Sequence, residues 1–179
     1  MIITGVDTGM HGALVTVGDD GDPIAATILR PGKRAAGWKT PSPPEVSSVS
    51  GQIFGHLLEN EPEAITYETV AMVRGIAPSR SLFITEGLLL ASSAEMAIPI
   101  FGVQQQTLRG WVKKKLGIEK WERGKAKEQI LEALPMFVLP QLIESVVAVV
   151  GACPKRYHDD LAEAYLCALW GQATIEVER

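Results

Sequence analysis

Apolar residues in the N-terminal third of the chain fall in short runs that are rich in β-branched side chains and bounded by glycine or aspartate. Runs of this length and composition are typical of buried strands. They predict three strands at residues 2–6, 13–17 and 24–29. The DDGD sequence before the third strand indicates a hairpin turn.

The rest of the chain alternates helical and strand patterns. Apolar residues at 45–59 recur at helical spacing on one face, whereas 64–69 is a short strand-like run. The other predicted elements are a strand at 98–103 and helices at 80–97, 105–116, 125–134 and about 157–172. Residues 135–155 are left unassigned, because three prolines interrupt an apolar stretch there.

This order of elements predicts an α/β fold. The first three strands are joined by hairpins, and the two later strands are each reached through a helix, which is typical of parallel pairing. We therefore expect a mixed five-stranded sheet, three strands antiparallel and then two parallel, with helices on both faces. A chain of 179 residues fits one such domain, at 1–179.

Acidic side chains stand near the predicted ends of strands, where functional residues of such sheets gather. Asp7 ends the first strand beside glycines, and Glu68 lies near the end of the 64–69 strand. In the final helix Asp160 and Glu163 share a face, and Asp159 nearly shares it. Simpler explanations exist, since strand acids can face solvent and acids in a first helical turn favour the helix dipole.

If these acids converge, they form a site with oxygen ligands only. Such ligands suit Mg²⁺ or Mn²⁺ rather than Zn²⁺. Two ions about 4 Å apart can activate water and stabilise the leaving oxygen of a phosphodiester. The first motif alone allows another interpretation, in which Asp7 lies under nucleotide phosphates, as in ATP-binding domains of the actin and sugar-kinase type. The length of the chain argues against that fold, which needs a second lobe.

Composition and cysteine usage are those of an ordinary globular protein. Apolar residues make up 46% of the chain and charged residues 21%. Cys153 and Cys167 have no metal-ligand spacing, and we interpret them as reduced thiols in a cytoplasmic protein. The N-terminus lacks the basic and apolar segments of a signal peptide.

The charge of the chain is unevenly distributed. The net charge of −4 argues against a polyanionic partner, yet residues 30–39 hold four basic residues and no acid, and residues 109–127 hold eight basic residues and two acids. This segregation predicts a basic face for DNA, although a solvated helix face is the alternative. The candidate DNA contacts are Lys33, Arg34, Lys39, Arg109, Lys114, Lys115 and Lys125.

Several motifs resemble those of the RuvC-like Holliday junction resolvases, particularly the phage enzymes. GVDTGMHGALVTVGDDG resembles their first motif, and ITYETV resembles their second acidic strand. IPIFGVQQQTLRGWVKKKLG resembles the family's strand and the Val-Lys segment that follows it. KAKEQILEAL resembles the family's Lys-x-Gln-Val helix, and DDLAEAYLCALW resembles its closing acid-rich helix. The similarity runs in order along almost the whole chain, although Thr8 stands where the family usually has proline.

The resemblance implies a ribonuclease-H-like fold, a homodimer, and cleavage of four-way (Holliday) DNA junctions with two Mg²⁺ or Mn²⁺ ions per active site. It implies metal ligands at Asp7, Glu68, Asp160 and Glu163, with Asp159 as the alternative to Asp160. The resemblance also places Lys113 and Lys127 near the scissile phosphate, where their charge could stabilise developing negative charge. A solvated lysine face remains the alternative for both.

Two further hypotheses are consistent with the same motifs. A related nuclease could cut other branched DNA or structured RNA. A non-catalytic DNA-binding module could retain the fold without the chemistry. Retention of the acids in all the motifs disfavours the second hypothesis.

Overall fold

The computed structural model describes residues 1–37, 40–69 and 80–175. It contains a sheet of five strands, which are β1 (Ile3–Asp7), β2 (Ala13–Val17), β3 (Pro23–Ile28), β4 (Ala64–Thr69) and β5 (Ile100–Gln104). Their order across the sheet is β3-β2-β1-β4-β5. The first three strands pair antiparallel, whereas β4 pairs parallel with β1 and β5 parallel with β4. The predicted mixed sheet is therefore confirmed.

Helices cover both faces of the sheet, and each face has its own group of buried apolar side chains. On one face lie α1 (Pro43–Asn60) and α2 (Arg80–Met96). On the other lie α3 (Gln105–Lys115), α4 (Ala126–Ala133), α5 (Val138–Val150) and α6 (His158–Ile175), the last preceded by a short 3-10 helix at Lys155–Tyr157. Strand side chains alternate between the faces, as Val6 and Leu14 lie on the α1 side and Ile3 and Val15 on the α6 side.

The segment that the sequence leaves unassigned contains α5. Pro140 is the third residue of this helix, where its missing N–H would have no helical partner in any case. Pro135 precedes the helix, and its carbonyl accepts a hydrogen bond from the Val138 N–H at 3.0 Å. Gly151 ends the helix with a φ of 78°, and Pro154 follows. The three prolines therefore lie before, in the first turn of, and after a helix, and they do not prevent it.

Helix α6 lies unusually close to the central strand β1. A methyl group on Gly5 would overlap the backbone of Ala164 and Ala168, and one on Gly171 would overlap the Thr66 side chain. The Thr66 hydroxyl also donates a hydrogen bond of 2.8 Å to the Cys167 carbonyl. Small residues on both elements therefore fix the height and the rotation of α6 over the sheet.

The opposite face of the sheet contains a buried polar group. His56 of α1 hydrogen-bonds through Nε2 to the Thr16 hydroxyl at 2.8 Å and through Nδ1 to the Thr27 hydroxyl at 2.9 Å. Burial lowers the pKa of His56 to about 4, so the ring is neutral at physiological pH. The paired hydroxyls satisfy a ring that would otherwise be costly to bury.

In the described ranges no single helix is long and apolar enough to cross a membrane. The pair α4 and α5 passes that test of length and composition together, with a bend of 97° between the two helices.

Gly5→Ala should destabilise the protein. The added methyl must push α6 away from β1, and overpacking of this kind costs about 1–3 kcal/mol. Urea unfolding followed by circular dichroism measures the change. Gly55→Ala in α1 is the matched control, because a methyl there meets no atom within 4 Å and should raise stability slightly. Equal stability of Gly5→Ala and wild type would show that α6 is not fixed by this contact.

Candidate metal centre

Two acidic residues stand at the neighbouring ends of the parallel strands β1 and β4. Val6 pairs with Tyr67 in the register of these strands, so Asp7 and Glu68, each one residue further on, reach the same edge of the sheet. The Thr8 hydroxyl lies 3.4 Å from the Glu68 carbonyl, to which it donates, and it links the two strand ends. Thr8, which stands where the first motif of RuvC-like resolvases usually has proline, thus has a structural role at this edge.

Helix α6 adds two more acids to the same edge. Ligand oxygens of Asp7, Asp160 and Glu163 all lie within 4.8 Å of one another. Asp160 and Glu163 are brought over Asp7 by the close packing of α6 on β1. Of the two aspartates that sequence spacing left open, Asp160 joins this group, while Asp159 lies beside it and contacts Lys127. We call Asp7, Asp160 and Glu163 the acidic cluster.

The acidic cluster is electrostatically unfavourable in the protein alone. Burial, followed by the charges of Glu163 and Asp160, raises the pKa of Asp7 well above its usual range. Burial also raises the pKa of Asp160, with a contribution from Asp159, and the pKa of Glu163. Carboxyl groups are pushed towards their neutral form here mainly because they are buried, and also because neighbouring carboxylates repel their charge.

One lysine from α4 partly offsets this negative charge. The Lys127 ammonium lies 2.8 Å from Asp159, 3.2 Å from Glu163 and 3.5 Å from Asp160. Although burial opposes it, the hydrogen bond to Asp159 and the surrounding carboxylates raise the pKa of Lys127 above its usual value. Lys127 is therefore a permanent cation at the edge of the acidic cluster.

Glu68 lies near the acidic cluster and has partners of its own from α3. Burial and the charge of Glu163 raise the pKa of Glu68, whereas the charge of Arg109 and a hydrogen bond from Gln105 oppose the rise. Sequence reasoning missed Gln105 and placed Arg109 on DNA. The available signal was position, since Gln105 opens the helix directly after β5, and β5 is the neighbour of the strand that carries Glu68.

The other predicted phosphate-binding lysine lies elsewhere. Lys113 is eight residues beyond Gln105 in α3, which corresponds to about 12 Å along the helix axis. Among the residues that the structure describes, Lys113 forms no ion pair with the acidic cluster. Its predicted position beside the reacting phosphate therefore stays a prediction.

The predicted DNA contacts occupy varied environments. Lys33 and Lys114 are exposed, and Lys115 lies over the Trp111 ring at 6.0 Å. Lys125 pairs with Glu122 at 3.0 Å. Lys39 lies outside the described residues.

Arg34 has a clear structural contact. Its Nε lies 3.0 and 3.1 Å from the two carboxylate oxygens of Glu45. Glu45 in turn accepts hydrogen bonds from the backbone and hydroxyl of Ser42, both at 2.9 Å, which completes a capping box at the start of α1. The hydrogen bond from Arg34, followed by that from the Ser42 backbone, lowers the pKa of Glu45 to about 2. Part of the charge of Arg34 is therefore used within the protein.

The chain matches no protein-family model and no curated protein sequence. Its structure is similar to that of T. thermophilus RuvC in complex with a Holliday junction substrate, with a TM-score of 0.64 at 18% identity, covering 99% of this chain and 96% of the other. The chain has the RuvC-like fold. A second Thermus thermophilus RuvC structure gives a TM-score of 0.52 at 18% identity, covering 97% of this chain and 96% of the other.

The yeast mitochondrial Holliday junction resolvase Ydc2 shares this RuvC-like fold. The TM-score is 0.55 at 16% identity, and the match covers 99% of this chain and 81% of Ydc2. The ribonuclease-H-like architecture predicted from the sequence is confirmed by these similarities.

The donor set at this edge of the RuvC-like fold fits a divalent cation. Every candidate ligand is a carboxylate oxygen, the chemistry that Mg²⁺ and Mn²⁺ prefer. Burial is the largest cause of the raised pKa values of all three members, and the charge of Lys127 lowers them without reversing the rise. A buried group of this kind is stabilised by a cation of higher charge.

The raised pKa values predict how stability depends on pH when divalent ions are absent. A carboxyl with a higher pKa in the folded state binds more protons when folded. The free energy of unfolding therefore falls as pH rises from the unfolded pKa of about 4 through the folded pKa. His56 acts in the opposite direction, because its lowered pKa makes stability fall as pH drops from about 6.5 towards 4.

Comparing wild type with Asp7→Asn isolates the contribution of Asp7 to stability, because His56 contributes equally in both proteins. In EDTA the variant should be more stable than wild type near pH 7, and the difference should shrink towards pH 4. Urea unfolding across this pH range measures it. A wild type that stays more stable than Asp7→Asn near pH 7 would mean that the Asp7 carboxylate is already satisfied in the metal-free protein.

Proposed function

We propose that the protein is a divalent-metal-dependent endonuclease that hydrolyses phosphodiesters in four-way DNA junctions. The observation that carries this proposal is the acidic cluster at the strand edge of a RuvC-like fold. The T. thermophilus protein with this fold is in complex with a Holliday junction substrate, and Ydc2 is a Holliday junction resolvase. A role in DNA recombination or in phage DNA processing follows from this substrate.

The metal ligands in this proposal are Asp7, Glu68, Asp160 and Glu163. The position of Asp160 within the acidic cluster supports it over Asp159. When bound, two Mg²⁺ or Mn²⁺ ions supply activation of water and stabilisation of the leaving oxygen. Within the chain, β1 and β4 hold two ligands at a fixed separation, and α6 holds the other two across from them. Gln105 orients Glu68 through its hydrogen bond.

Positive side chains have two roles in the proposal. Lys127, at the edge of the acidic cluster, stabilises negative charge that develops on the reacting phosphate, and we assign the same role to Lys113 on the resemblance alone. We assign the other predicted basic residues to contacts with the DNA backbone. These are Lys33, Arg34, Lys39, Arg109, Lys114, Lys115 and Lys125. Arg109 also faces Glu68, so it lies where backbone and acids meet.

A homodimer is part of the proposal, since a four-way junction offers two equivalent strands to cut. The layer of α1 and α2 carries large apolar side chains that are substantially exposed, namely Leu58, Phe83 and Leu90. A groove of about 890 Å³ runs between the two helices, with Phe54 and Leu88 in its lining. Exposed apolar surface of this kind supports an interface on the face opposite α6.

Asp7→Asn and Glu68→Gln should abolish cleavage of a labelled four-way junction in Mg²⁺ while binding to the junction persists. We expect the cleavage rate to fall by at least about a hundredfold, as when a group that stabilises transition-state charge is removed. Gel assays of cleavage and of binding measure the two effects separately. The control is Glu59→Gln, an exposed acid of α1, which should cut normally.

Two outcomes would contradict this account. Loss of folding in both variants would make the acids structural, and unchanged cleavage would remove them from catalysis.

A panel of substrates in the same assay tests the nearest alternative. Faster cleavage of flaps or of RNA precursors than of four-way junctions would identify a related nuclease with another substrate, and junction binding without cutting would identify a binding module.

Affinity for the junction should fall as salt rises, because lysine and arginine release counterions from the phosphates they contact. The logarithm of the affinity should decrease linearly with that of the salt concentration. Lys114→Ala should reduce the slope by about one. Fluorescence anisotropy over a salt series measures both proteins. A flat response in the wild type would show that the basic residues do not bind the backbone.

A further inference from the structure

Lys127 bridges the acidic cluster and its neighbour Asp159. Its ammonium contacts Glu163 and Asp160, which belong to the cluster, and Asp159, which does not. The shortest of the three distances, 2.8 Å, is the one to Asp159. The lysine side chain is 49% exposed, whereas the three acids are between 17% and 27% exposed. A half-exposed cation therefore contacts more buried anions.

A divalent cation at the acidic cluster needs carboxylates that Lys127 already contacts. Asp7 is the one cluster member that Lys127 does not touch within 4 Å in the described part of the chain. The ammonium and an incoming ion therefore compete for Glu163 and Asp160. Asp159 is not among the candidate ligands and stays available to the lysine when the other two acids are taken.

The long side chain of Lys127 permits such an exchange. The residue lies in the first turn of α4, and its partners lie in the first two turns of α6. A lysine has four rotatable side-chain bonds, so its ammonium can shift by several ångströms while both helices stay in place. After such a shift the Lys127 ammonium would still lie at the edge of the acidic cluster.

We propose that Lys127 is an exchangeable internal cation: it spans Asp159, Asp160 and Glu163 in the metal-free protein and withdraws to Asp159 when a divalent ion binds. Lys127 thereby lowers the affinity of the acidic cluster for a divalent ion. In the metal-free protein it reduces the repulsion between the carboxylates. The same movement leaves the ammonium beside the site, positioned for a phosphate. This inference rests on the proposed function, because it takes the acidic cluster as the metal site.

Metal binding in the absence of DNA tests the proposal. Isothermal titration with Mn²⁺ compares wild type with Lys127→Met, which keeps the length of the side chain and removes its charge. We expect Lys127→Met to bind Mn²⁺ about fivefold more tightly or better, the lower end of typical coupling between two ligands. Lys155→Met, an exposed lysine just before α6 with the same change in net charge, should bind as wild type does.

A second measurement uses the wild type and does not depend on the folding of a variant. Limited acetylation followed by mass spectrometry reports how accessible each lysine is. Lys127 should react slowly in EDTA and several-fold faster in saturating Mg²⁺, while Lys155 reacts equally in both. Unchanged reactivity of Lys127, or equal or weaker Mn²⁺ binding by a folded Lys127→Met, would overturn the exchange.

The failure of the proposed function is distinguishable from the failure of this inference. If wild type binds Mn²⁺ and Lys127→Met binds it no more tightly, only the exchange is wrong. If wild type binds no divalent ion, the metal-dependent nuclease is wrong and the exchange falls with it.

Discussion

The close packing of α6 on β1 is the constraint on which the rest of the structure depends. Gly5 leaves no side chain between the strand and the helix, so the backbone of Ala164 and Ala168 rests almost directly on the sheet. This contact sets the height of α6 and therefore the distance from Asp7 to Asp160 and Glu163. A larger residue at Gly5 would separate the two halves of the acidic cluster without altering any of its members.

That packing imposes an electrostatic cost which the chain only partly offsets. Three carboxyl groups with raised pKa values lie together, and Lys127 contacts two of them. Sites that bind or transform ligands commonly sacrifice stability in this way. The buried His56 group on the other face shows the contrast, because its polar atoms find neutral partners and carry no charge. His56 is thus buried as a neutral ring, whereas the acidic cluster gathers carboxyl groups at the edge where the strands end.

The sequence alone predicted the sheet, its mixed topology and the helices on both faces, because periodicity and hairpin signals are local. It also singled out Asp7 and Glu68, since a carboxylate at the end of an apolar strand is conspicuous, and their role as metal ligands stays a prediction. Helix α5 was missed because prolines at both ends obscured its apolar pattern. The contact of Gln105 with Glu68 and the three contacts of Lys127 were not predicted. They depend on which helices and strands become neighbours in the fold, which spacing along the chain does not reveal. The choice of Asp160 over Asp159 for the cluster required the rotation of α6, which Gly5 sets.

The central claim is that Asp7, Asp160 and Glu163 hold a divalent cation. Anomalous diffraction from crystals of the protein soaked in Mn²⁺ tests it most directly, because manganese is located without reference to activity. The account predicts anomalous density between the Asp7 carboxylate and the two carboxylates of α6. Saturating Mn²⁺ with no density at that position, in crystals that show the ion elsewhere, would contradict it.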